Sequence, residues 1–278
     1  MDTSYEELCR RCFDMRTGQS FEENIESCGC VIAAGRDRKD VERAYYVRGL
    51  LRADIGDHDG AIEDYGQAIA LTPAPRYFES RGEAYCVKGD DAAALSDFAR
   101  VVELDPGNGM PHLNVGAIHL HRCDYALAVQ CFTRAIELNP THAVAHYDRY
   151  LAYASLGDRE RSRLDLDKAI ELDPDDVIFR AVRGRIHLDE GRLDQAFVDF
   201  NRAVEVDPDV ATFLYFRAMT RLRQGDAPGA EADLPRPGRS PPILPSNWRR
   251  RGSASELPYR RAVSRILRCS ASLRAVST

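Results

Sequence analysis

Four cysteines near the N-terminus, Cys9-x2-Cys12 and Cys28-x-Cys30, stand close to the spacing at which two thiolate pairs close a tetrahedral zinc site. The second pair has one intervening residue rather than two, which weakens the match. The competing reading is that Cys12 and Cys28 are small core residues. Cys86, Cys123, Cys131 and Cys269 show no pairing pattern. Histidines gather at His112, His119, His121, His142 and His146. His142 and His146 are one helical turn apart, the spacing at which two imidazoles can share a metal, but no glutamate occupies the HExxH position. Core or edge histidine is the better reading. The chain has no GxxxxGK[ST], no GxGxxG after a strand and no GxSxG. The expectation is therefore no catalytic residue, no cofactor and no metal, in a protein that is not an enzyme.

The most regular charged pattern is ionic rather than catalytic. Arg48, Arg81, Arg149, Arg183 and Arg217 are each followed sixteen residues later by an aspartate: Asp64, Asp97, Asp165, Asp199 and Asp233. The elements that must position these pairs are visible in residues 177–210. Two amphipathic helical patterns there flank Gly191, and Asp207-Pro208 ends the unit. Ala196, Phe200, Ala203 and Val206 recur at helical spacing. Residues 75–108 repeat the unit, with Gly82, Tyr85, Gly89, Ala94, Phe98, Val101 and Pro106 at matching places. Pro73, Pro106, Pro140, Pro174 and Pro208 are spaced by 33, 34, 34 and 34 residues. A period near 34 built from two helices and a proline stop signals a stacked helical array. Such an array needs no single large core, because each unit hides its apolar face against the next.

This pattern resembles the tetratricopeptide repeat family, which prefers Gly or Ala at place 8 of each unit, Tyr at 11, Ala at 20, an aromatic at 24, Ala at 27 and Pro at 32. The resemblance covers roughly residues 42–234. It implies an all-α, right-handed superhelical solenoid of antiparallel helix pairs, with a concave face that binds peptides or partner proteins. The units are 42–74, 75–108, 109–142, 143–176, 177–210 and an incomplete 211–234, preceded by a degenerate helical repeat at 1–41. In these units the arginines fall at place 7 and the aspartates at place 23. The third unit lacks both, with Val115 and Cys131, so the pairing is expected inside each unit. Tyr150 occupies the place where Gly is preferred, and is expected to spread the two helices or turn outward.

Carried over from the family, the concave face includes Tyr46, Met110, Leu113, Leu120, Val144, Tyr147, Leu151, Tyr215, Met219 and Leu222. Those rows are more apolar than a solvated face should be, which marks an interaction surface. The family's carboxylate clamp uses Lys and Asn in these rows. Here the corresponding places hold Tyr46, Leu50, Glu83, Met110 and Asn114, so the clamp is absent. A peptide or amphipathic helix of another protein is the expected partner.

Charge is unevenly placed. Residues 235–278 carry ten Arg and one Glu, +9, which leaves −15 on residues 1–234 of a chain with net charge −6. An acidic array is a poor partner for nucleic acid. Pro235 and Pro237 break the sixth unit where its second helix should continue. The Arg/Ser/Pro-rich composition beyond is what a GC-rich gene gives when read out of frame. The alternative reading is a basic amphipathic tail, with Val263, Ile266, Leu267 and Leu273 on one side and arginines around them, acting at a membrane surface or nucleic acid. No apolar stretch is long enough to span a bilayer, and residues 1–15 lack the apolar run of a secretory signal, so a cytoplasmic location is expected.

Overall fold

The computed structural model describes residues 5–13 and 20–234. Among them are fourteen α-helices and no strand. They form two compact bodies, divided in sequence between Asp124 and Tyr125. The first holds α1 (Tyr5–Phe13), α2 (Phe21–Ala34), α3 (Arg38–Asp54), α4 (His58–Leu71), α5 (Pro75–Lys88), α6 (Asp91–Leu104) and α7 (Met110–His121). The second holds α8 (Tyr125–Leu138), α9 (Ala143–Leu156), α10 (Arg159–Leu172), α11 (Val177–Asp189), α12 (Leu193–Val206), α13 (Ala211–Gln224) and α14 (Ala227–Asp233). Within each body every helix packs on the next in sequence, and α3 also meets α5, α5 meets α7 and α11 meets α13. The helices are thus antiparallel pairs stacked one on another. None among the described residues is long and apolar enough to cross a membrane.

One turn recurs in every unit from 42 onward. The first helix ends with a backbone N–H reaching five residues back: Asp57 to Arg52, Asp90 to Tyr85, Asp124 to His119, Asp158 to Tyr153, Arg192 to His187 and Asp226 to Arg221, at 2.8–3.0 Å. This closure needs a left-handed residue just before it. Gly56, Gly89, Gly157, Gly191 and Gly225 supply it, and in the third unit Cys123 does so at φ 65°. The next aspartate then caps the following helix. Asp57, Asp90, Asp158 and Asp226 accept from Gly60, Ala93, Arg161 and Gly229 backbone N–H groups. Each such cap stabilises its helix by ~1 kcal/mol.

The core follows the small and aromatic places of the repeat. Ala61, Tyr65 and Ala68 of α4, Ala94, Phe98 and Val101 of α6, and Ala196, Phe200 and Ala203 of α12 are all 0–1% exposed. Each aromatic ring lies against a glycine on the preceding helix. A Cβ on Gly49 would sit 2.6 Å from Tyr65, on Gly82 2.8 Å from Phe98 and on Gly184 3.2 Å from Phe200. The fourth unit exchanges the sizes. Tyr150 stands at the glycine place and Leu166 at the aromatic place. Tyr150 does not turn outward as one of the expectations had it. It is buried, with its ring 5.5 Å from that of Tyr147. The smaller Leu166 leaves bulk to be filled from the first helix instead of the second.

The N-terminal hairpin is tied by a disulfide between Cys12 of α1 and Cys28 of α2, both fully buried. Ser20 starts α2 with a capping box to Glu23. At the other end, Asp226 and Pro228 start α14, and the described chain ends at Leu234. The readings of residues 235–278, as an out-of-frame segment or a basic amphipathic tail, lie outside the described residues.

Candidate interaction surface

The charged pattern builds five nearly identical fork-to-fork pairs. Arg48 with Asp64, Arg81 with Asp97, Arg149 with Asp165, Arg183 with Asp199 and Arg217 with Asp233 each join the two helices of one hairpin. In each, Nε donates to one carboxylate oxygen and Nη2 to the other, at 2.5–2.9 Å. The aspartates are buried, at 1–6% exposure. The arginine side chains keep 14–26%. Hydrogen bonds to the aspartate raise the guanidinium pKa of Arg48, Arg81, Arg149 and Arg183, against an opposing effect of burial. At Asp165, burial opposes ionisation but is outweighed by Arg149 and His146, and the carboxyl is held below its ordinary range. Planar bidentate geometry of this kind is specific to arginine.

A further contact was not anticipated from the sequence. In the second body the free Nη1 of each arginine reaches sixteen residues back, to the second helix of the preceding hairpin. Arg149 donates to Thr133 at 3.1 Å, Arg183 to Asp167 at 3.0 Å and Arg217 to Asn201 at 2.8 Å. One guanidinium therefore ties its own hairpin and stitches it to its neighbour. In the first body the same place is Gly29 or Gly66, and a Cβ there would already stand 3.6 Å from Arg48 or Arg81 Nη1. The signal, a polar or absent side chain at place 25, is present in the sequence but varies in type.

The candidate metal ligands do not converge. Cys12 and Cys28 are joined to each other, Cys30 is exposed and Cys9 faces Asp40. His142 caps α9, accepting from the Ala145 N–H, while the buried His146 lies against Asp165 and the Pro140 carbonyl. His187 accepts from Arg192 Nε at 2.9 Å; burial first, then Arg192, lowers its pKa. Among the described residues no three His, Cys, Asp or Glu side chains are grouped to hold a metal.

The ten residues expected on the concave face separate into two sets. Leu113, Leu120, Tyr147 and Leu151 are 1–8% exposed, so they pack rather than present themselves. For Tyr147 the reason is visible: its ring stacks on Phe179 of the next hairpin at 4.7 Å. The expectation that Tyr147 and Leu151 form the centre of an open surface is corrected accordingly. Tyr46, Met110, Val144 and Met219 are half-buried, and Tyr215 and Leu222 are exposed at 39% and 47%.

The open part of α13 has its own support. Tyr215, Met219 and Leu222 stand at i, i+4 and i+7, one helical face. Beneath them Phe216 stacks on Phe200 at 5.4 Å, and Tyr215 meets Phe216 edge to face at 5.6 Å. Arg185 of α11 lies over Phe216, and Arg223 Nη1 donates to the Leu188 carbonyl at the end of α11. An exposed Tyr–Met–Leu stripe is thus held on rings fixed from below and bordered by two arginines.

Comparison with known proteins agrees with the repeat reading. Two sequence models described as tetratricopeptide repeat match, one at residues 46–109, 147–204 and 183–234, the other at 111–142. Tetratricopeptide repeat protein 36 of Homo sapiens is 40% identical over 68 residues, which is 24% of this chain and 36% of that protein. The matched stretch therefore spans about a third of that relative. A crystal structure of a tetratricopeptide repeat protein from Parabacteroides merdae aligns with a TM-score of 0.64 at 19% identity, covering 82% of this chain and 90% of that one. PilF of Pseudomonas aeruginosa aligns with a TM-score of 0.63 at 14% identity, covering 70% and 90%. At these identities the likeness is one of fold.

Proposed function

The chain belongs to the tetratricopeptide repeat family, and on that premise we propose that it is a non-enzymatic scaffold that holds a peptide or amphipathic helix of a partner protein. The surface that does so is the stripe Tyr215–Met219–Leu222 of α13, with Arg185 and Arg223 at its borders. The observation that carries this reading is the exposure of two large apolar side chains, Tyr215 and Leu222, on one face of a helix whose underside is fixed by stacked rings. An exposed apolar stripe rimmed by polar groups is the usual chemistry of an interaction surface. Tyr, Met and Arg are also the types enriched at the centre of such surfaces. The stripe suits the apolar face of a helix, which presents anchors at the same i, i+4, i+7 spacing. Acidic residues flanking those anchors would meet Arg185 and Arg223. Half-buried Val144 of α9 is a secondary contact on the same body.

The test is affinity capture with the full chain, comparing it with Tyr215→Ala/Leu222→Ala. Both side chains are exposed, so the variant should keep its helical circular dichroism and melting temperature. Partners retained by the parent chain should be lost. Retention of the same proteins at the same recovery would remove the proposal.

A further inference from the structure

The first body has a face of different character. On α3, Tyr46, Leu50 and Asp54 share one side; on α5, Glu79, Glu83 and Cys86 do the same. Tyr46 and Leu50 pack against Tyr65, and the Tyr65 hydroxyl feels the charge of both Asp54 and Glu83. This places carboxylates from two helices around one apolar floor.

These carboxylates are unlike the other acids of the body. Asp64 and Asp97 hold arginines, and Glu42 accepts from Thr72 and Tyr77 beside Arg76. No cation pairs with Asp54, Glu79 or Glu83 among the described residues. Burial raises all three pKa values, that of Glu83 to about 7, with the charge of Glu79 adding to the effect there. Beside Glu83, the amide nitrogen of Asn114 is buried with no acceptor in hydrogen-bond range. The face therefore combines apolar surface, unmatched acids and an unmatched donor.

The same chain contains a segment with the complementary chemistry. Residues 235–278 carry +9 beyond the last described helix. Residues 259–274, YRRAVSRILRCSASLR, would as a helix put Val263, Ile266, Leu267 and Leu273 on one side. The adjacent Arg260 and Arg261 supply two cations for two neighbouring carboxylates. We infer that residues 259–274 dock as a basic amphipathic helix on the α3–α5 face, with Arg260 and Arg261 against Glu79 and Glu83 and the apolar side over Tyr46 and Leu50. This gives residues 235–278 a role in the protein as it stands. It is independent of the partner surface on α13, which lies on the other body.

Hydrogen exchange on the full chain tests it. Amides of 259–274 should be protected by about tenfold or more over free peptide, and high salt should reduce that protection. Glu79→Arg/Glu83→Arg should abolish it while circular dichroism stays helical. Adding Arg260→Glu/Arg261→Glu in that background should restore it, an outcome that misfolding could not produce. Free exchange across 259–274 in the parent chain would overturn the inference. So would protection that survives Glu79→Arg/Glu83→Arg. Protection that grows with protein concentration would assign the face to a second copy of the chain and overturn it as well. Partner capture through Tyr215 and Leu222 would be untouched by any of these results.

Discussion

Consider replacing Asp199 by alanine. Its carboxylate is 1% exposed and accepts from Arg183 Nε at 2.9 Å and Nη2 at 2.8 Å. Arg180 Nη1 lies 3.6 Å away and His187 Nε2 3.9 Å away. Removing the anion leaves two guanidinium groups facing a void of low polarity. Breaking a buried pair from one side costs ~3–5 kcal/mol. Arg183 keeps 26% exposure and its bond to Asp167, which favours the lower end, ~3 kcal/mol. In Asp199→Ala/Arg183→Met the stranded charge is gone and an apolar chain of similar length fills the space. That variant should recover ~1–2 kcal/mol of the loss. Recovery stays partial because Arg180 remains unmatched and the stitch to Asp167 is lost. Urea titration followed by circular dichroism gives both values, provided the slope of the transition is unchanged. Hydrogen exchange in α11 and α12 locates the effect if the array unfolds in stages. Equal losses in the single and double variants would refute the reasoning, because the cost would then come from Asp199 itself and not from an abandoned arginine.

Other substitutions probe other parts of the frame. Gly82→Ala should cost ~1–3 kcal/mol, since its Cβ would meet Phe98 at 2.8 Å; an unchanged melting temperature would mean the two helices can separate freely. Cys123→Gly should stabilise by ~1 kcal/mol, because a side chain is strained at φ 65°, and thermal melting reads the gain. Asp148 is 3% exposed, and burial raises its carboxyl well above the ordinary 3.8. The folded chain then keeps a proton that the unfolded chain releases, so its contribution is complete below the ordinary value and is lost as pH rises toward the folded one. Asp148→Asn should flatten that decline and gain ~1–2 kcal/mol at pH 8, measured by urea titration across pH.

Much of this architecture is legible in the residues themselves. Proline spacing and the small and aromatic places mark the helix pairs because close packing admits few side-chain sizes there. Arginine at place 7 and aspartate at place 23 meet because both face the same interhelical gap. Solvent exposure was less legible. Tyr147 and Leu151 look like surface residues by their place in the unit, yet whether a ring is open depends on Phe179, which comes from the next hairpin. The size exchange at Tyr150 and Leu166 was hidden for the same reason: each residue alone looks like a misfit, and together they fill one space. The Nη1 stitch was missed because Thr133, Asp167 and Asn201 share a hydrogen-bonding role but no residue type.

Photo-crosslinking from position 219, midway along the α13 stripe, measures the central claim directly. A photoreactive methionine analogue at Met219, in the full chain, should attach covalently to a second polypeptide of different sequence, with the attachment falling on the apolar side of a helix. The yield should collapse with Tyr215→Ala/Leu222→Ala. Crosslinks confined to the chain itself, or a yield unaffected by those two substitutions, would contradict the proposal that this stripe receives a partner.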